Sequence, residues 1–206
     1  MLPHVVIDAP DEAVEATEAE EVTKESEDAS AVYSVQTPGN EIAWEGFETF
    51  TDKVHKGYIQ VSKGELRFEG NELKGGQFTI DMTSMKNTDL PKEGDYNQAK
   101  LEGHLKSPDF FAVDSFPTAK FEITKVMAAP DTMGNASHML KGNLTMRGIT
   151  KNITVPAQVE MMDNKVSLTT PQFVIDRSQW NVKFRSKSFA ELLTWPKTKL
   201  LITISG

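Results

Sequence analysis

The feature that most constrains this chain is an alternation of side chains with a period of two. In residues 77–82, Phe78, Ile80 and Met82 face away from Gln77, Thr79 and Asp81, because successive side chains of an extended chain point to opposite faces. The pattern recurs where Ala119, Phe121 and Ile123 alternate with Lys120, Glu122 and Thr124, along Ile153, Val155, Ala157 and Val159, and in Leu200, Ile202 and Ile204. From Ala31 onward the chain reads as an all-β meander of about eight strands joined by hairpins. Gly57, Gly64, Gly70 and Gly75-Gly76 are expected to punctuate the first hairpins, and Gly148 a later one. Pro171 predicts a bend or an edge position. The last strand, around Leu200 to Ile204, is expected to pair with the first, around Val32 to Gln36, and so remove both edges by closing a barrel.

One helix interrupts the strands. Asp95 followed by Gln98 resembles a capping box, and Leu101 and Leu105 share a face, which predicts a helix over residues 96–106 lying against the sheet. His104 flanks that face. Its ring suits a structural hydrogen bond or a contact with a polar head group. Ser107-Pro108 reads as the start of a further one-turn helix over residues 108–111, with Phe110, Phe111 and Phe116 as apolar anchors before Pro117 sets an extended entry to the next strand.

Charge divides the 206 residues unevenly. Residues 1–30 hold ten acidic side chains against Lys24 alone, a net −9, so the overall −8 belongs to this tail and the remainder is near +1. A segment so acidic and free of aromatic residues is expected to be a flexible linker, giving a tail over 1–30 and a folded domain over 31–206. As a spacer it suits a membrane tether attached upstream of residue 1. No stretch approaches the roughly 18 to 20 apolar residues that span a bilayer as a helix. Residues 1–10 have no basic start, apolar core or small-residue cleavage site, so any secretion signal is expected to have been removed already.

Several chemistries find no support in the residues. The near-neutral domain argues against a nucleic-acid partner. There is no cysteine, and His4, His55, His104 and His138 show no HxH or HExxH spacing, so no metal site is expected. GxSxG and phosphate-cradling glycine motifs are missing, so no catalytic residue is nominated and no cofactor is expected. Alternation alone leaves open whether the barrel is filled by side chains or hollow.

Four stretches carry a resemblance: GGQFTIDMTSM at 75–85, GHLKSPDFFAVDSFPTAKFEI at 103–123, GNLTMRGITKNITVPA at 142–157 and FVIDRSQW at 173–180. In this order they resemble the YceI-like family of bacterial polyisoprenoid-binding proteins over roughly residues 31–206. The resemblance implies an antiparallel lipocalin-like β-barrel in the periplasm or another extracytoplasmic space. It implies storage or transport of a long isoprenoid, quinone tail or fatty-acid-like chain, without catalysis. On that reading the lining comprises Trp44, Phe78, Ile80, Phe121, Ile123, Leu144, Phe173, Ile175 and Trp180, with Leu101 and Leu105 of the helix. Arg147 and Arg177, inside the matching motifs, are head-group candidates besides His104. After Trp180 many relatives are glycine-rich, whereas this chain places Lys183, Arg185 and Lys187 among Phe184 and Phe189. Lys183 then belongs either to a solvated face or to a cationic rim. An interaction protein with a filled barrel, acting through its surface or acidic tail, is the alternative. The oligomeric state is left open, a dimer included.

Overall fold

The computed structural model describes residues 13–23, 31–35, 40–47, 54–131, 136–162, 165–183, 192–195 and 199–203, the last two through their backbone pairing. Twelve strands lie among these residues: β1 Thr17–Glu18, β2 Ala31–Ser34, β3 Glu41–Phe47, β4 Val54–Glu69, β5 Glu72–Asn87, β6 Thr118–Ala128, β7 His138–Met146, β8 Ile149–Met162, β9 Lys165–Thr169, β10 Phe173–Asp176, β11 Leu192–Trp195 and β12 Lys199–Thr203. One α-helix, α1 Gln98–Lys106, and a 3₁₀ turn, Arg177–Trp180, complete the set. The strands form one antiparallel sheet in the order β10-β11-β3-β4-β5-β6-β7-β8-β9-β12, with β1 on β8 and β2 on β4. The architecture is the expected antiparallel, lipocalin-like barrel with one short helix packed against β5.

The alternation read from the sequence is borne out in β5, where Phe78, Ile80 and Met82 are buried and Gln77, Thr79 and Asp81 are not. In β4 the pattern changes phase. Ile59 and Val61 are buried at odd positions, and Leu66 and Phe68 at even ones. Pairing moves from Val61↔Ile80 to Lys63↔Thr79, so one extra residue on β4 faces none on β5. Such a bulge turns the following side chains to the other face and bends the strand.

The glycines correct the expected hairpins. Only Gly70, at φ 60°, ends a strand; Gly57, Gly64, Gly75 and Gly76 lie inside β4 and β5, each of which runs for 16 residues. At Gly57, opposite Trp44, a Cβ would lie 1.8 Å from the Lys86 carbonyl oxygen and 2.5 Å from the Trp44 ring. At Gly64, opposite Phe78, it would lie 2.6 Å from that ring. These glycines make room for inward aromatic rings; they do not mark turns. The Arg147-Gly148 hairpin is as expected, both residues having positive φ.

Other local readings change too. The helix is capped by Asn97, not Asp95: Asn97 Oδ1 accepts from the Lys100 amide at 3.0 Å, and Gln98 turns back to the Leu90 carbonyl. Residues 108–111 form turns, not a helix, and the Ser107 hydroxyl donates to the His104 carbonyl at the end of α1. The last strand does not pair with the first. β12 adds to the free edge of β9, while β2 adds to β4 over Glu65–Phe68, beyond the part that β3 occupies. No ladder joins β10 to β12 among the described residues.

The acidic tail departs furthest from expectation. Residues 13–23 strap the outer face of the sheet. The Val14 amide donates to the Val174 carbonyl at 2.8 Å, β1 pairs with Lys151 and Asn152, and the Thr23 amide reaches the Thr124 carbonyl at 3.3 Å. The Glu20 amide donates to Asn143 Oδ1 at 3.0 Å, and Asn143 Nδ2 returns a bond to the Glu20 carbonyl at 2.7 Å. Glu18 and Glu20 meet Lys151 and Lys141 at 2.5 and 2.6 Å. Composition suggested a linker because it weighed apolar area. The strap is held instead by backbone bonds and by Val14 and Ala16 against the core. The rest of the tail, residues 1–12 and 24–30, lies outside the described residues, as do Gln36 and Ile204 of the two strands expected to pair.

Deleting residues 1–23 is expected to lower the melting temperature by roughly 5 to 10 °C, the effect of losing a few kcal/mol in a domain of this size. The exposed surface pairs contribute little of that, so raising the salt concentration should close only a small part of the gap. Equal melting temperatures with and without the strap would refute this account.

Candidate functional site

The inner face of the sheet encloses a partly open cavity of ≈ 90 Å³. Five residues nominated from the sequence line it: Phe78, Ile80, Phe121, Leu144 and Phe173. Ile42 and Val61 from β3 and β4, Leu140 from β7, Ile153 and Val155 from β8, and Leu168 with Thr170 around the end of β9 complete the wall. Most of this second group had a signal in the alternation, since Ile153 and Val155 continue the buried face of β8. Val61 and Leu168 also stand in alternating pairs, with Ile59 and with Val166, but were not nominated. Thr170 had no apolar signal at all.

The remaining nominated residues are buried outside the lining. Trp44 lies over Gly57, and its Nε1 has no hydrogen-bond partner. Leu101 and Leu105 form the buried stripe of α1. Ile123 and Ile175 are fully enclosed in the core. Trp180 is likewise enclosed, its indole N–H donating to the Leu144 carbonyl at 2.9 Å.

Three of the head-group candidates, Arg147, Arg177 and His104, are engaged by the protein. Arg147 Nη1 donates to the carbonyls of Phe110 and Asn181 at 2.6 and 2.7 Å, and Nη2 to that of Pro108 at 2.8 Å. Arg177 is buried, lies 4.4 Å from the centre of the Phe110 ring and donates to the Val182 carbonyl at 3.1 Å. Burial pushes its guanidinium down to about 10 and the adjacent Asp176 pushes it up, so it keeps its charge at neutral pH. Asp176 also caps the 3₁₀ turn through the Ser178 amide. The His104 ring stands edge-on to Phe110, with centroids 5.8 Å apart. These residues clamp the turn after α1, the β7-β8 hairpin and the 3₁₀ turn together. Lys183 is exposed, while Phe184, Arg185, Lys187 and Phe189 of the basic run lie outside the described residues.

A second polar cluster lies away from the cavity. His55 Nδ1 is 2.9 Å from Asp89 Oδ2, and the Tyr96 hydroxyl is 3.1 Å from His55 Nε2. Burial alone would raise the Asp89 carboxyl, but the Lys56 amide, His55 and Asn87 hold it below its usual range. The cluster ties the connection before α1 to β4.

Fold and cavity together define a class: an antiparallel β-barrel with an apolar interior, closed at one hairpin end by an arginine–aromatic clamp. The chain belongs to the YceI-like domain family, whose model matches residues 33–205. A UPF0312 protein of Pseudomonas aeruginosa is 37% identical over 89 residues, which are 41% of this chain and 44% of that one. A UPF0312 protein of Vibrio vulnificus is 28% identical over 103 residues, 50% of this chain and 49% of that one. The matched stretches thus span about half the length of these curated relatives. Among solved structures, Burkholderia cenocepacia BcnA aligns with a TM-score of 0.63 at 19% identity, covering 82% of this chain and 99% of its own. A polyisoprenoid binding domain from Saccharophagus degradans, implicated in plant cell wall breakdown, aligns at 0.53 and 12% identity, covering 86% and 97%. The strap, residues 13–23, precedes the family match.

Arg147→Met is expected to lower stability by about 2 to 4 kcal/mol, because three carbonyls lose a charged donor. Guanidinium chloride unfolding measures this, and a change under about 0.5 kcal/mol would show that the clamp carries no weight.

Proposed function

We propose that the protein binds an amphiphilic lipid by enclosing its hydrocarbon chain in the barrel, an isoprenoid chain being the preferred class. The observation that carries this reading is the cavity wall, apolar at every described lining residue except Thr170. Such a wall favours hydrocarbon through water release and offers no cation to a buried phosphate. The description of the Saccharophagus neighbour as polyisoprenoid-binding supports the ligand class. Binding without turnover is part of the same proposal, as the YceI-like family membership suggests.

Size shapes the mechanism. A cavity of ≈ 90 Å³ is smaller than the roughly 150 Å³ void known to accept benzene in another protein. A long chain therefore enters by displacing side chains. Ile42, Phe121 and Phe173 are half-buried members of the wall, so they are the ones with room to swing. Each five-carbon unit that follows gains about 4 kcal/mol before the cost of ordering is subtracted. We place this activity in an extracytoplasmic compartment, in storage or transport of the lipid. The modest cavity also favours a second reading, in which the barrel stays filled and the protein acts through its surface.

Mass spectrometry of a solvent extract of the purified protein, followed by titration with isoprenoids of increasing length, tests the proposal. Affinity should rise at least tenfold per added unit until the interior is full, and Phe121→Asp should abolish retention in a variant whose circular dichroism is unchanged. Affinity independent of chain length, with no lipid in the extract, would favour the filled barrel.

A further inference from the structure

Among the described residues, Thr170 is the one polar side chain in the cavity wall. It is only 8% exposed, and its Oγ1 is buried without a hydrogen-bond partner. Threonine here immediately precedes Pro171, where the chain leaves β9 and crosses to β10, next to the lining residues Leu168 and Phe173. A buried hydroxyl left unpaired is costly, and valine would fill the same shape without that cost. Trp44 Nε1, also an unpartnered interior donor, does not belong to the wall.

We infer that the Thr170 hydroxyl is the polar recognition point of the cavity, receiving an uncharged hydroxyl or carbonyl oxygen carried by the lipid. This rests on the lipid-binding reading and sharpens it. A hydroxyl both donates and accepts, so it suits an alcohol or a carbonyl equally. It cannot neutralise a phosphate, and no lining residue among those described is basic. Arg147 and Arg177, the nearest cationic candidates by motif, are committed to the carbonyls of Phe110, Pro108, Asn181 and Val182. The cavity therefore discriminates among lipids by one neutral hydrogen bond, which sets a preference for oxygen-bearing chains over pure hydrocarbon and over phosphorylated ones.

The test uses three probes of equal chain length, farnesol, farnesene and farnesyl phosphate, titrated into the wild-type protein, Thr170→Val and Thr170→Ser. Wild type should bind farnesol roughly three- to tenfold more tightly than farnesene, the factor that one neutral hydrogen bond supplies. Farnesyl phosphate should bind more weakly than farnesol. Thr170→Val should lose the farnesol preference while binding farnesene at least as well and melting no lower than wild type; Thr170→Ser should keep the preference. Equal farnesol affinity in wild type and Thr170→Val would overturn the inference while leaving lipid binding intact, as would tightest binding of the phosphate. Failure of wild type to bind any of the three would overturn both the inference and the reading beneath it.

Discussion

The barrel depends on steric room at the inner face, where aromatic rings lie against backbone. Trp44 faces Gly57 across β3 and β4, and Phe78 faces Gly64 across β4 and β5. A methyl group at either glycine would overlap the opposing ring or a carbonyl oxygen. Large rings can therefore fold flat over the neighbouring strand, and the long strands bend around them, helped by the bulge near Ser62. The bend brings β6, β7 and β8 round to face β3 and β4 across the interior. Without it, Phe78, Phe121 and Phe173 would not converge on one cavity.

The outer face solves a different problem. Asn152, Asn143 and Thr124 are buried polar residues on adjacent strands, linked by Asn152 Nδ2 to Asn143 Oδ1 at 3.0 Å and to Thr124 Oγ1 at 3.2 Å. Here the strap supplies two further bonds to Asn143 through the Glu20 backbone, while Asn152 Oδ1 stays without a hydrogen-bond partner, and the strap carboxylates face Lys141 and Lys151. The acidic segment is thus part of the folded unit over residues 13–23, although it lies outside the family match. Its charge complements this patch, and its backbone extends the buried polar network.

Polar chemistry is kept out of the interior by the same economy. The two arginines of the family-like motifs hold a turn, a hairpin and a 3₁₀ segment together, spending their donors on carbonyls that those irregular backbones leave free. The His55–Asp89–Tyr96 cluster similarly fastens the approach to α1. What the described residues leave at the cavity is apolar wall and one hydroxyl. On the proposed function, selectivity for a bound lipid rests on chain length and on a single neutral contact.

Period-two alternation determined the all-β class, the inward identity of Phe78, Ile80, Phe121, Leu144 and Phe173, and the Arg147-Gly148 hairpin, because each depends on residues near in sequence. The motifs at 75–85, 103–123, 142–157 and 173–180 determined the family. Tertiary structure alone decided which edge β2 and β12 join, since any free ladder offers the same backbone groups. It also decided where β4 changes phase, because a bulge follows from the fit of one strand to its neighbour. The fates of Arg147 and Arg177 were equally illegible, for a guanidinium reads the same whether it meets a carbonyl or a lipid head group. The strap and Thr170 show the limit most clearly. Composition sees charge in one and a small polar side chain in the other, whereas only the folded chain decides whether a partner stands within hydrogen-bonding distance.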